Sequence, residues 1–192
     1  MSKTLTAVLF VGGESRRMGA DKATLTIAGE PLWSSQLAKL RNLCPDKLLI
    51  SARVRPTWSP VDIEVVLDEP PSQGPLSGIT AALSHIRSTH LLALAIDLPG
   101  MTTEHLLELW QLARPGVGVI PQCGKYYEPL STIYPATAVS IAESALAIGS
   151  LSLQSLIENL FERQEACIYP VNDDDRHLYR NMNSPDDLKC TS

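Results

Sequence analysis

Leu5-Thr6-Ala7-Val8-Leu9-Phe10-Val11-Gly12-Gly13-Glu14-Ser15-Arg16-Arg17-Met18-Gly19-Ala20-Asp21-Lys22 is the stretch that decides the fold. The apolar run over 5–11 reads as a first strand. The glycine pair that follows has no Cβ to keep an anion away from the main chain. Ser15, Arg16, Arg17 and Lys22 add a hydroxyl and three cations to the same space. Main-chain N–H groups in a concave turn, backed by fixed positive charge, are what a nucleoside triphosphate requires. The same residues also fit a glycine turn followed by a solvated basic loop, since glycine after a strand is ordinary turn chemistry. Two familiar phosphate loops are excluded by spacing. The stretch has neither Gly-x-x-x-x-Gly-Lys-Ser/Thr nor the Gly-x-Gly-x-x-Gly of dinucleotide folds, which disfavours a plain Rossmann dehydrogenase.

Beyond this loop, apolar runs alternate with helical patterns, the signature of a mainly parallel sheet flanked by helices. A helix is predicted over 32–43, with Leu37, Leu40 and Leu43 on one face, begun after Gly29-Glu30-Pro31 and stopped by Pro45. Strands are predicted over 48–50 and 63–67, and a helix over 79–86. The continuous apolar run over 91–96 suits a central strand buried on both faces. Thr102 or Thr103 caps the next helix, whose buried face is Leu106, Leu109, Trp110 and Ala113, and a strand follows over 117–120. The last third is less regular: a strand over 130–134, helices over 139–148 and 153–161, and a short strand over 167–169. Ser184-Pro185-Asp186-Asp187 carries a capping hydroxyl, a first-turn proline and carboxylates at the positive helix end, so a final helix is expected there.

The chain has 192 residues, 44% of them hydrophobic and 19% charged, which suits one globular α/β domain. A formal net charge of −5 argues against a broad nucleic-acid footprint, so any phosphate site must be local. Cys44, Cys123, Cys167 and Cys190 lie far apart, and His85, His90, His105 and His177 complete no zinc spacing. The cysteines read as incidental or buried thiols of a reducing cytosol. Asp173-Asp174-Asp175 reads as a solvated loop rather than a metal site. The amino-terminal residues lead straight into a strand, with no secretory segment and no bilayer-spanning run. A soluble cytoplasmic protein, with no membrane or nucleic-acid partner, is the expectation.

Three further motifs fall where an α/β domain places its ligands, beyond the carboxyl ends of strands. Asp68 ends the strand over 63–67 and could accept hydrogen bonds from a base or ribose; it equally suits a turn cap before Pro70 and Pro71. Gln73-Gly74-Pro75-Leu76-Ser77-Gly78-Ile79 stands just before a helix. Its glycines permit close backbone approach, and a packing turn is the competing account. Asp97, in Ala95-Ile96-Asp97-Leu98-Pro99, closes the most buried run, where an ionised carboxylate is expensive unless paired, hydrated or bound to a metal. Magnesium suits it, because Mg²⁺ takes one or two carboxylates with waters and substrate phosphates. A plain turn cap is again the alternative. Taken in this order, the motifs point to nucleotidyl transfer, in which an acceptor phosphate attacks the α-phosphate of a triphosphate and pyrophosphate leaves. Positioning and charge neutralisation carry such a rate.

Gly12-Gly13-x-Ser15-x-Arg17-Met18-Gly19-x-Asp21-Lys22 resembles the signature of the molybdenum cofactor guanylyltransferases, the MobA-type enzymes. Gly29-x-Pro31-Leu32, Gly74-Pro75-Leu76-x-Gly78-Ile79, Asp97-x-Pro99, Pro129-Leu130 and Asn181-x-Asn183-x-Pro185 are similar to later landmarks of that family, in the same order. The resemblance covers nearly the whole chain. It implies a Rossmann-like three-layer α/β/α nucleotidyltransferase fold over 1–192, with a nucleotide-binding half over about 1–100 and a pterin-substrate half over about 101–192. The implied reaction joins GMP from GTP to molybdenum-bearing molybdopterin, with Mg²⁺ as cofactor. The implied partners include other cofactor-biosynthesis proteins and acceptor apoenzymes.

By the same resemblance, Phe10, Val11, Gly12 and Gly13 would contact the nucleotide through their backbone. Arg17 and Lys22 would neutralise the triphosphate and the departing pyrophosphate. Asp68 with Gly74, Pro75, Leu76 and Gly78 would hold guanosine, and Asp97 would bind magnesium. Asn181 and Asn183 would sit near the pterin, although asparagines before a helix also stabilise loops. Two features depart from the family: Phe10-Val11 stands where Leu-Ala is commoner, and no asparagine follows the second strand, in Ser51-Ala52-Arg53. The rival readings are a relative using CTP or another NTP, of molybdopterin cytidylyltransferase or sugar-phosphate type, and a non-catalytic nucleotide-binding protein. Val11-Gly12-Gly13 and the Gly-Pro-Leu turn favour guanine over cytosine, since the cytidylyl relatives tend to have Ala-Ala-Gly and lack that turn.

Overall fold

A computed structural model of the protein describes residues 2–12, 22–27, 29–68 and 72–182. In chain order these form β1 (Leu5–Phe10), a hairpin of β2 (Thr26–Ile27) and β3 (Glu30–Pro31), α1 (Leu32–Arg41), β4 (Lys47–Ala52), β5 (Glu64–Leu67), α2 (Pro75–His85) and β6 (His90–Ala95). Then follow α3 (Thr103–Leu112), β7 (Gly118–Cys123), β8 (Tyr126–Tyr127), β9 (Ile133–Pro135), α4 (Ala138–Ala147), α5 (Leu153–Glu162), β10 (Ala166–Pro170) and a 3-10 helix, Asp173–Tyr179.

One eight-stranded sheet organises them in the order β10-β7-β9-β6-β1-β4-β5, with β8 paired to β7. β1 runs parallel to both β4 and β6, and β4 parallel to β5. β9 alone on the main path is antiparallel, to both β6 and β7. The short link over 124–132 explains it, since a parallel return needs a crossover of a dozen or more residues. From β1 the chain moves outward to β4 and β5, then returns to the other side of β1 to lay down β6. That reversal opens a crevice at the carboxyl ends of β1 and β6.

Period-two alternation in β1 feeds two cores. Leu5, Ala7 and Leu9 pack with Leu37 and Leu40 of α1 and Leu106 and Leu109 of α3. Val8 and Phe10 pack with Leu76 and Ile79 of α2, Ile141 of α4, and Ile157 and Leu160 of α5. The result is an α/β/α sandwich, mainly parallel, as the alternation of motifs predicts.

Several boundaries differ from expectation. α2 begins at Pro75, four residues before the predicted start, so the Gly-Pro-Leu motif is the first turn of the helix rather than a loop before it. Proline at the first helical position has no N–H to leave unpaired. Gly74 caps that turn with φ +90°, a conformation that favours glycine. The strand expected over 130–134 is β9 at Ile133–Pro135. The Glu128 carbonyl draws the chain into a turn by accepting from Ser131 N–H (3.2 Å) and Thr132 Oγ1 (2.7 Å). The acidic run over 173–175 is not a loop but opens the 3-10 helix, with Asp173 paired to Arg176 at 3.0 Å. The small β2–β3 hairpin goes beyond the expected elements, because two-residue strands carry no readable alternation.

Candidate active site

The crevice beyond β1 and β6 gathers most of the described candidate residues. At the end of β1, Phe10 C=O accepts from Ile96 N–H and Val11 N–H donates to Ser51 C=O, both at 2.9 Å. The sheet thus uses these groups, which leaves Gly12 as the first described residue past them. Gly13 and Arg17, with Ser15, Arg16 and Asp21, lie outside the described residues.

Asp97 lies just past β6, half-buried. Desolvation raises its carboxyl pKa, and the nearby Lys22 ammonium partly opposes that rise. Lys22 stands in a 3-10 turn, Lys22–Thr24, and Nζ donates to Met182 C=O at 3.0 Å. Met182 N–H in turn donates to Asp97 C=O at 2.8 Å. Residues more than 150 positions apart along the chain therefore meet at one point.

Two further contacts bring the tail there. Tyr179 OH lies 2.6 Å from His105 Nε2 at the start of α3, and Gly100 packs so closely on the His177 carbonyl that a Cβ would come within 2.9 Å of it. Asn181 is exposed beside Met182, next to this cluster. Asn183 and the predicted helix start over 184–187 lie outside the described residues.

The other wall of the crevice is built on α2. Asp68 follows β5, its N–H donating to Ala52 C=O at 3.1 Å, and Oδ2 accepts from Ser72 Oγ at 3.0 Å. Its pKa is raised by burial, against the Ser72 hydrogen bond and the positive charge of Arg53. Gly78 faces this carboxylate. A Cβ on Gly78 would stand 3.2 Å from Asp68 Oδ1, 3.1 Å from Ser51 Oγ and 3.5 Å from the Phe10 ring. The glycine thus lets Phe10, Ser51 and Asp68 pack closely against α2, with less than a methyl group's room between them. At the mouth, Gly74 and Pro75 begin α2, and the Ser77 hydroxyl accepts from Gln73 N–H at 2.8 Å. Leu76 is wholly buried in the sheet–helix core, so only its main chain could face a ligand.

Sequence reasoning gave Arg53 no role. It follows β4 directly, and its Cγ would lie 3.8 Å from a Cβ on Gly12. Together with its attraction to Asp68, this puts a cation between the end of β1 and Asp68. The signal was present as a basic residue directly after a strand.

Among the described residues no group of three or more His, Cys, Asp or Glu could form a metal cage. Magnesium keeps several waters and uses substrate phosphates alongside one or two carboxylates. The desolvated Asp97 carboxylate, without an ion pair at bonding distance among the described residues, is a fitting donor. A cleft of about 600 Å³ opens at the other end of the strands, by the starts of β1, β4 and β5, near Thr4, Asp46, Lys47, Glu64 and His85. There Glu64 already binds Lys47 at 2.6 Å and His85 at 3.3 Å, leaving little field for a polyanion. No helix among the described residues is long and apolar enough to cross a membrane.

The MobA-like NTP transferase domain profile matches residues 7–166. A protein of Opitutus terrae named "probable molybdenum cofactor guanylyltransferase" is 32% identical over 189 residues, covering 97% of this chain and 94% of its own length. The molybdenum cofactor guanylyltransferase of Pseudomonas fluorescens is 33% identical over 190 residues, with coverage of 96% and 92%. Among solved structures, molybdopterin-guanine dinucleotide biosynthesis protein A of Archaeoglobus fulgidus superposes with a TM-score of 0.71 at 27% identity, over 96% of this chain and 95% of that one.

Proposed function

The chain belongs to the MobA-like NTP transferase family and is a nucleotidyltransferase, and from that premise we propose that it transfers GMP from GTP to molybdenum-bearing molybdopterin, yielding the guanine dinucleotide cofactor and pyrophosphate. One observation carries the assignment of the reaction to this crevice: Lys22, Met182 and Asp97 are tied together at the carboxyl ends of β1 and β6.

The nucleoside lies beside Asp68 and the amino end of α2, with the Asp68 carboxylate accepting from hydroxyl or base N–H donors. The triphosphate then runs along the Gly12 turn toward Lys22, whose ammonium offsets the charge that grows as pyrophosphate departs. Arg17 shares that work. Asp97 holds Mg²⁺, which supplies a template and a Lewis acid for the phosphate oxygens. The segment around Asn181, with Asn183 beyond it, borders the space left for the acceptor, so that its phosphate reaches the α-phosphorus in line. The protein's part is orientation and charge, which is what a phosphoryl centre needs from its surroundings.

Purified protein is to be incubated with Mg²⁺, molybdenum-loaded molybdopterin and each of the four NTPs, with pyrophosphate release and dinucleotide mass as readouts. Dinucleotide formation with GTP in clear preference to CTP, ATP and UTP is expected. A preference for CTP would overturn the base assignment, and no product with any NTP would overturn the reaction.

A further inference from the structure

Asp97 sits on a segment whose carbonyls are held from outside it, one after another. Gln36 Nε2, on α1, lies 2.9 Å from Leu98 O, 3.4 Å from Ala95 O and 3.5 Å from Ile96 O. Lys39, one turn further along α1, donates from Nζ to Pro99 O at 2.8 Å. Asp97 O accepts from Met182 N–H. All five carbonyls from 95 to 99 are thereby engaged, and the Asp97 side chain projects from an anchored main chain.

Gln36 is an unusual occupant of its position. It is wholly buried on the face of α1 that also carries Leu32, Leu37 and Leu40, and its Oε1 has no partner among the described residues. Burying an orphan acceptor is unfavourable, and an apolar residue of similar size would avoid it. The amide orientation is dictated by its surroundings, since reversing it would set an oxygen against three carbonyl oxygens. What the amide does at this position is hold the turn.

We propose that Gln36 and Lys39 are positioning residues for Asp97: α1 grips the turn's carbonyls so that the carboxylate keeps its aim at the divalent ion of the bound nucleotide. The proposal rests on the assignment of Asp97 as the magnesium residue. Mg²⁺ demands near-ideal octahedral geometry at short range, so slack in the turn weakens metal binding before it weakens nucleotide binding.

The test uses the full chain with Mn²⁺ as a paramagnetic probe and α,β-methylene GTP, which cannot be transferred. Mn²⁺ affinity is read by electron paramagnetic resonance, nucleotide affinity without metal by calorimetry, and Tm by scanning. Gln36→Leu is expected to weaken Mn²⁺ binding by roughly 10-fold or more, the scale found for outer-shell partners of metal ligands, with metal-free nucleotide affinity unchanged. Lys39→Met, on a partly exposed residue that the fold tolerates more readily, is expected to show a smaller loss in the same direction. Lys39→Arg, which keeps donors within reach of Pro99 O, should retain wild-type affinity. Wild-type Mn²⁺ affinity in both Gln36→Leu and Lys39→Met would overturn the clamp while leaving the Asp97 assignment standing. An Asp97→Asn variant that bound Mn²⁺ as tightly as wild type would overturn both.

Discussion

Replacing Gly78 with alanine separates the stability of the fold from the position of Asp68. The new Cβ would meet Ser51 Oγ at 3.1 Å, Asp68 Oδ1 at 3.2 Å and Phe10 Cε1 at 3.5 Å. The first two separations are tighter than ordinary contact, so both polar side chains must yield by a few tenths of an ångström. Gly78 lies inside α2 and has no positive φ, so alanine gains about 1 kcal/mol of helix propensity. Overpacking a core site costs about 1–3 kcal/mol. The two effects largely offset each other, and the variant should lose no more than about 2 kcal/mol of stability.

Binding has no such compensation. The displaced Asp68 carboxylate meets the nucleoside out of line, and a charged hydrogen bond so disturbed is worth about 1.5–3 kcal/mol. That converts to a GTP affinity weaker by roughly 10- to 100-fold. Calorimetric titration of GTP, alongside urea unfolding of both proteins, measures the two quantities independently. Wild-type affinity in a folded Gly78→Ala protein would refute the placement of the nucleoside against Asp68 and Gly78.

Asp97→Asn is expected to cut turnover by at least about 100-fold, the scale of removing a transition-state charge stabiliser, while raising Tm at pH 7. The folded-state pKa of Asp97 lies above its ordinary 3.8 because burial disfavours the ion, so stability falls as pH rises through that window and the full penalty is present at neutrality; a lower Tm would contradict this. Gly118→Ala should destabilise strongly, by about 3 kcal/mol or more, because its Cβ would collide with the Ile133 carbonyl and come within 2.8 Å of Pro135 Cδ; urea unfolding reads the loss. His90 and His105 are buried, and desolvation holds both imidazoles below the usual 6.5. The unfolded chain therefore binds protons first as pH drops. Unfolding free energy should decline as pH falls from about 7 through 6.5, and His90→Gln should flatten that decline; an unchanged slope would assign the loss to other groups.

Much of the fold was legible from local pattern. The apolar runs over 5–11 and 91–96 announce strands, the second one buried centrally, and those are β1 and β6, the neighbours at the centre of the sheet. Thr102 caps α3 as its hydroxyl allowed, accepting from His105 N–H at 3.2 Å. Lys22, Asp68 and Asp97 stood out as candidates by residue type after a strand, and Gly74 and Gly78 by standing before a helix. The boundaries that failed did so where local chemistry is ambiguous. Gly-Pro-Leu reads as a turn in isolation, and only packing of Leu76 and Ile79 against β1 extends the helix back to Pro75.

What the sequence determined by itself, then, is which segments are strands or helices and which loops bring glycines, cations and carboxylates together, because those properties are written over a few residues. The tertiary structure alone decided that Lys22 and Asp97 meet through Met182, that Arg53 stands between Gly12 and Asp68, and that a buried glutamine of α1 braces the Asp97 turn. Each of those arrangements joins residues distant along the chain, and no local periodicity records a contact that exists only once strands have paired and helices have closed over them.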